Sequence, residues 1–266
     1  MTWPDLDSAL DLLRVGELTV EGRLVDASNA TLLCDVVDGD VEGRCVYKPV
    51  AGERPLWDFP DGTLAGREVS AYAVSEATGW SVVPPTILRE GPFGPGMVQL
   101  WVETEATDSG LVDVVAPKAL PEGWLHVLDA HGARGEDVVL AHADDDRLRR
   151  MALLDVVLNN ADRKGGHVLL ETTGALRGVD HGVSFHVEGK LRTVLWGWAG
   201  SDLRPDEVEV LARLRDDLDA ALGTVLAEML TPREVLACRR RVERMLREGH
   251  LPYPGQGWPS IPWPPF

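Results

Sequence analysis

The sequence predicts an α+β fold built as two lobes: a strand-rich N-lobe over residues 1–103 and a helical C-lobe over residues 104–266. Three observations carry that reading. From about residue 17 to residue 103, apolar and polar residues alternate between clusters of turn-formers. Past residue 144, apolar stripes at helical spacing dominate. Between the two lies a short connection at 99–104, and ligands favour clefts between lobes.

Each element follows from its own signal. Residues 4–15 carry an apolar stripe at Leu6, Leu10 and Leu13, with Pro4 suited to a first helical turn, and predict an N-terminal helix. GELTVEGRLVDASNATLLCDVVDG predicts a hairpin punctuated by DASNAT, and VEGRCVYKPV a further strand. AGERPLWDFPDGT is loop-like. LAGREVSAYAVSEATG has helical spacing at Leu64, Val69, Tyr72, Ala73 and Glu76 and closes on Gly79. SVVPPTILRE and GMVQLWVE predict two strands joined by the turn GPFGPG.

In the second lobe, residues 121–131 are expected to be weakly helical. Residues 144–159 open on Asp144, Asp145 and Asp146, acids suited to a helix N-terminus, and bury Leu148, Met151, Ala152, Leu154, Asp155 and Leu158. HVLLETT and LRGVDHGVSF predict a short hairpin, and residues 204–222 and 231–248 two long helices. The second opens TPRE, a capping box with Pro in the first turn. The Pro- and Trp-rich end, LPYPGQGWPSIPWPPF, is expected to lie extended, with Trp258 and Trp263 docked on the chain's own surface.

Composition narrows the function. The 266 residues carry a net charge of −17, with 44% hydrophobic and 26% charged residues, as in a globular protein. Such an acidic balance argues against a broad nucleic-acid face and against stable attachment to anionic membranes, because both need clustered Lys and Arg. The only cysteines, Cys34, Cys45 and Cys238, form no C-x-x-C pair and support neither a disulfide framework nor a thiolate zinc site. The start lacks a signal-peptide pattern, so a reducing, cytoplasmic setting is expected.

Four residues in order carry the chemistry: Lys48 in the strand VYKP, Glu68 on the next helix, Asp162 in LNNADRKGGH, and Asp180 in GVDHG. Each alone reads as ordinary structure: an edge-strand lysine, a solvated helix carboxylate, two turn aspartates. Together they supply what phosphoryl transfer needs, namely a cation for the phosphates, a metal ligand and a carboxylate that orients the acceptor. His126 and His131 are five apart, which is not the spacing of a helical metal pair.

With these residues the chain resembles the atypical side of the kinase superfamily, shared by phosphatidylinositol 3-/4-kinases and HipA-type protein kinases. More narrowly it is similar to small actinobacterial phosphatidylinositol 3-/4-kinase-like proteins. The similarity covers about residues 17–200. It implies a two-lobed protein-kinase-like fold and a phosphotransferase using ATP and a divalent metal, Mg or Mn. The family's D-R-H-x-x-N loop corresponds to Asp162-Arg163-Lys164-Gly165-Gly166-His167, and its D-x-G motif to Asp180-His181-Gly182. By this resemblance Lys48 holds the nucleotide phosphates and Glu68 pairs with it. Asp162 orients or deprotonates the acceptor, with Lys164 beside it, and Asp180 ligates the metal. The loop containing Ser28 and Asn29 covers the phosphates, and backbone groups of Gln99, Leu100, Trp101 and Val102 meet the adenine. His181, in the middle of D-x-G, is expected to be packed, as are Trp196 and Trp198.

Two positions depart from the pattern. Lys164 stands where the family has histidine, and His167 stands where it has the asparagine that ligates a second metal. An imidazole moves preference from Mg²⁺ toward Mn²⁺ or a later metal, and it ligates only when neutral. The leading expectation is a kinase acting on a protein Ser/Thr hydroxyl. Two alternatives stay open: a pseudokinase acting through partner contacts, and an enzyme that transfers AMP.

Overall fold

The computed structural model describes residues 6–24, 30–106, 109–256 and 259–266. Pro4, Ser28, Asn29 and Trp258 therefore lie outside the described residues. β1 (Glu17–Arg23), β2 (Leu32–Asp38), β3 (Val41–Pro49), β4 (Thr86–Gly91) and β5 (Gly94–Leu100) form one antiparallel sheet in the order β1-β2-β3-β5-β4. Gly39 takes φ 59°, the left-handed value that the first residue of the two-residue β2–β3 turn demands.

Alternation along β3 places the lysine. Cys45 and Tyr47 are fully buried beneath α1 (Leu6–Val15), packed with Ala9, Leu12, Leu13, Cys34 and Val36. The residue next to Tyr47, Lys48, consequently leaves the opposite face of the sheet. Cys34 and Cys45 face each other across β2 and β3 as free thiols, and Cys238 is also free.

α2 (Leu64–Thr78) is started by Thr63, whose hydroxyl accepts from the Gly66 N–H. The Glu53 carboxylate reinforces that end by accepting from the N–H groups of Leu64 (2.9 Å) and Ala65 (2.8 Å). Gly79 ends the helix at φ 70°. Its inner side joins the main core, which also takes in α3 (Asp146–Leu158), α4 (Pro205–Leu218) and α6 (Pro232–Glu248). Leu148, Leu153, Leu154 and Leu158 of α3 are fully buried there, and each such side chain contributes about 1.5–3 kcal/mol relative to exposure. Asp145 caps α3 by accepting from Arg147 and Leu148, and the Thr231–Glu234 capping box starts α6.

Three expectations are corrected. Residues 124–131 are not helical but form strand β7 (Trp124–His131), between which and β6 (Val112–Val115) lies β8 (Asp137–Ala143) in a three-stranded antiparallel sheet. Pairing with 137–143 and a bulge between His126 and Leu128 override the weak helical spacing. The expected helix at 204–222 breaks into α4 and α5 (Ala221–Ala227), because Ala220 is non-helical and Asp216, Asp217 and Asp219 crowd a helix C-terminus that disfavours acids. Trp263 is not docked: it is 78% exposed, while its neighbour Ile261 packs against the core. A last pair of short strands, β9 (Val168–Leu170) and β10 (Leu176–Gly178), follows α3 as expected. No helix among the described residues is long and apolar enough to cross a membrane.

Candidate active site

β3, α2 and the loops around the β9–β10 hairpin converge on one cleft of about 240 Å³, lined among others by Lys48, Glu68, Asp162, Lys164, His167 and Asp180. The Lys48 ammonium is hydrogen-bonded to Glu68 Oε1 at 2.8 Å and also to Asp180 Oδ1. The other Glu68 oxygen accepts from the backbone N–H of His181 at 2.9 Å, so one carboxylate ties α2 both to the sheet lysine and to the Asp180 turn. Glu68 is 2% exposed and is not a solvated helix residue. Burial alone would push Lys48 down, but Glu68 and Asp180 outweigh it and hold the ammonium above its ordinary value. Lys48 in turn holds Asp180 well below the usual carboxylate range, against its own burial. Asp180 has φ 60°, a conformation Asp tolerates better than most residues, which turns its carboxylate toward Lys48.

The loop after α3 rests on a sealed network. Arg163 and Asp155 are both fully buried and paired in two-pronged fashion, at 2.9 Å (Nε–Oδ2) and 3.0 Å (Nη2–Oδ1). The Arg163 guanidinium also donates to the Val179 carbonyl at 2.9 Å and to His181 Nε2 at 2.6 Å. Asn160 donates to Asp155 Oδ1 and accepts from the Asp162 N–H at 3.0 Å. These contacts bind the Asp162 and Asp180 loops into one piece. Burial holds His181 well below its ordinary value, so it is neutral.

Asp162 is held more loosely. Lys164 Nζ stands 3.5 Å from one of its oxygens and Arg192 Nη2 3.6 Å from the other. Burial raises its carboxyl above the ordinary range, with both cations opposing. His167 Nε2 lies 3.5 Å from Asp180 Oδ2. Burial pushes the His167 imidazole down to about 4, so it is neutral at pH 7, the state in which an imidazole can ligate a metal. Its Nδ1 is a buried nitrogen without a hydrogen-bond partner among the described residues.

Gln99, Leu100, Trp101 and Val102, named from sequence for the adenine, do not line this cleft. The Gln99 side chain is buried and donates to Thr86 Oγ1 at 2.8 Å. The N–H groups of Leu100 and Trp101 donate to the carbonyls of Pro85 (2.9 Å) and Arg44 (3.0 Å), and Trp101 and Val102 line a second cavity with Pro84, Pro85 and Glu171. Of the covering loop only Ala30 and Thr31 are described, and both line the cleft. Asn160, Arg163, Glu53 and Arg192 were missed as site builders, although Arg163 and Asn160 sit inside the motif-bearing segment NNADRKGGH.

No protein-family model matches the chain. Among curated proteins, Protein Rv2133c of Mycobacterium tuberculosis is 52% identical over 274 residues, spanning 100% of this chain and 98% of that protein. The chain belongs to the Rv2133c family. Solved structures similar to it have low sequence identity. The Golgi casein kinase with Mn/ADP bound has 12% identity and a TM-score of 0.54 over 91% of this chain and 74% of that one. The Hydra Fam20 structure with sugar has 13% identity and a TM-score of 0.52 over 91% and 87%. This member of the Rv2133c family has a kinase-like fold.

Proposed function

We propose that the protein is an ATP-dependent phosphotransferase of the phosphatidylinositol 3-/4-kinase-like and HipA-like group, with lobes divided near 103/104, acting in the cytoplasm on a protein Ser/Thr hydroxyl. The observation that carries the reading is the Lys48 ammonium held between Glu68 and Asp180 in a cleft that Asp162, Lys164 and His167 also line. The kinase-like fold, and a neighbour whose structure contains Mn and ADP, support the choice of ligands.

In this reading Lys48 releases Asp180 when a nucleotide enters and turns its ammonium to the phosphates, while Glu68 keeps it in place. Asp162 accepts the proton of the acceptor hydroxyl, its raised carboxyl making it a better base than a free aspartate. Lys164 and Arg192 offset the charge that gathers on the transferred group. Asp180 and His167 are the residues that would hold a divalent ion, and a neutral imidazole beside a carboxylate is a donor set suited to Mn²⁺. When bound, that ion supplies charge neutralisation on the phosphates. A protein acceptor is preferred to a lipid because the chain carries a net charge of −17.

Thermal-shift titration with ATP, alone and with Mg²⁺ or Mn²⁺, tests the site. A metal-dependent rise in midpoint that is lost in Asp180→Ala supports it. Label transfer from γ-labelled ATP to protein then supports the kinase, whereas transfer from α-labelled ATP alone replaces it with AMP transfer. A chain that neither shifts nor transfers under any of these conditions is not a kinase.

A further inference from the structure

The segment after α6 returns to the catalytic loop. The Ser260 carbonyl accepts from the Thr193 N–H (3.0 Å) and from Trp196 Nε1–H (2.8 Å). Thr193 is bridged to Arg163 in parallel fashion, with the Arg163 N–H donating to the Arg192 carbonyl at 3.0 Å. The Pro265 carbonyl then accepts from the Gly165 N–H at 2.8 Å. Residues 260–265 thus run beside the ribbon formed by 192–194 and 163–165. At its end the Phe266 ring lies on Gly165: a Cβ at Gly165 would stand 2.2 Å from it. Gly165 does not have a positive φ, so its backbone would accept alanine, and the three atoms nearest to the added Cβ all belong to the ring.

Gly165 opens the one-turn helix Gly165–His167 that brings His167 into the cleft. The ring's position and its exposure point the same way. Phe266 is 45% exposed, so it adds little to the core. Its ring instead lies against the turn that carries a candidate metal ligand.

We propose that residues 260–266 clamp the catalytic loop, with Pro265 and Phe266 as positioning residues for His167. The inference rests on the phosphotransferase reading given above. Supporting groups of this kind, which fix the orientation of a ligating side chain, typically change metal affinity about 10- to 100-fold when removed.

The experiment uses the full chain as wild type, Phe266→Ala, Gly165→Ala and the double variant, with two readouts. Amide exchange at residues 165–168, without nucleotide or metal, reads the clamp itself. The Mn²⁺ concentration giving half of the ATP-dependent thermal shift reads its consequence. The expected result is faster exchange at these amides in Phe266→Ala, and an increase of about 10-fold in half-saturating Mn²⁺ in each single variant. The double variant is expected to be no worse than the worse single one, because both changes break one contact. Unchanged exchange in Phe266→Ala overturns the clamp, and so do additive losses in the double variant. A wild type that shows no nucleotide- or metal-dependent shift, yet loses protection in Phe266→Ala, rejects the phosphotransferase reading and leaves the tail a purely structural brace.

Discussion

Asp155 and Asp162 stand on either side of the turn that ends α3, and they are held in opposite ways. Asp155 is fully buried, and both of its oxygens accept from Arg163, Oδ1 from Asn160 as well. Asp162 keeps about a third of its side chain exposed, and its nearest cations stand at 3.5 and 3.6 Å. A carboxylate sealed from solvent against a buried guanidinium is out of a substrate's reach. One held at arm's length by two cations can still take a proton. The same contrast separates Arg163, sealed in the scaffold, from Lys164 on the cleft wall.

The largest effect should come from the sealed member. Asp155→Ala strands the Arg163 guanidinium without its counter-ion, and breaking such a buried pair costs about 3–5 kcal/mol. Urea unfolding should show that loss, together with a weaker hold on the loops that carry Asp162 and Asp180. Asp162→Asn, by contrast, should leave the unfolding midpoint nearly unchanged and lower label transfer from γ-labelled ATP by about 100-fold or more. Equal destabilisation by the two substitutions would erase the distinction. The pH profile sharpens it further. Protonated Asp162 cannot act as base, and its carboxyl is raised by burial, so transfer should fall on acidification at a pH above the ordinary 3.8 of aspartate.

A second expected effect is on stability against pH. His142, His167, His181 and His186 are all held below their ordinary values, each chiefly by burial. A depressed histidine binds its proton more readily in the unfolded chain, so its contribution is complete above pH 6.5 and is lost as the pH falls from there toward the folded value. His142, His167 and His181, the deeply buried three, each contribute a slope of up to about 1.4 kcal/mol per pH unit, and the more exposed His186 less, because water screens it. His142 shows the cause in atoms. Its Nε2 accepts from the Gly197 N–H at 3.0 Å while Nδ1 faces the Ala143 carbonyl at 2.9 Å, so a second proton would set one N–H against another. Unfolding free energy should therefore fall between pH 7 and pH 5, less steeply in His142→Gln. A flat profile would show that these imidazoles are solvated.

What the sequence disclosed follows the same divide. The strand alternation around VYKP and the helical spacing after Leu64 are local signals, and they bring Lys48 and Glu68 together without knowledge of distant residues. Asp180 was legible from its place in D-x-G. The sealing contacts were not: Asp155 is legible on the buried stripe of its helix and Arg163 in the motif loop, but no spacing pairs them, and Arg67, next to Glu68, gives no hint that it crosses to Glu234 of α6. Strand β7 was hidden because its identity depends on pairing with β8, which no spacing within WLHVLDAHG reports. Gly165 and Phe266 are 101 positions apart, and only the folded chain shows what a side chain at Gly165 would meet.

The smallest effect belongs to the rim. Arg44 and Glu103 pair near the connection between the sheet and the rest of the chain, and Arg44 lies 5.7 Å from the centre of the Trp101 ring. Both side chains remain more than a third exposed, at 42% and 35%, respectively. Exposed pairs contribute about 0–1 kcal/mol, because water screens the charges and two long side chains lose freedom in meeting. Glu103→Gln should therefore change the unfolding free energy by less than about 1 kcal/mol, and less still at 0.5 M salt. Lys48→Met is the matched control in the cleft. It strips Glu68 and Asp180 of their shared cation, so it should abolish the ATP-dependent shift while Glu103→Gln preserves it. A Glu103→Gln variant that lost ATP binding would move the nucleotide contacts toward the second cavity beside Trp101, and the division between a working cleft and an inert rim would have to be redrawn.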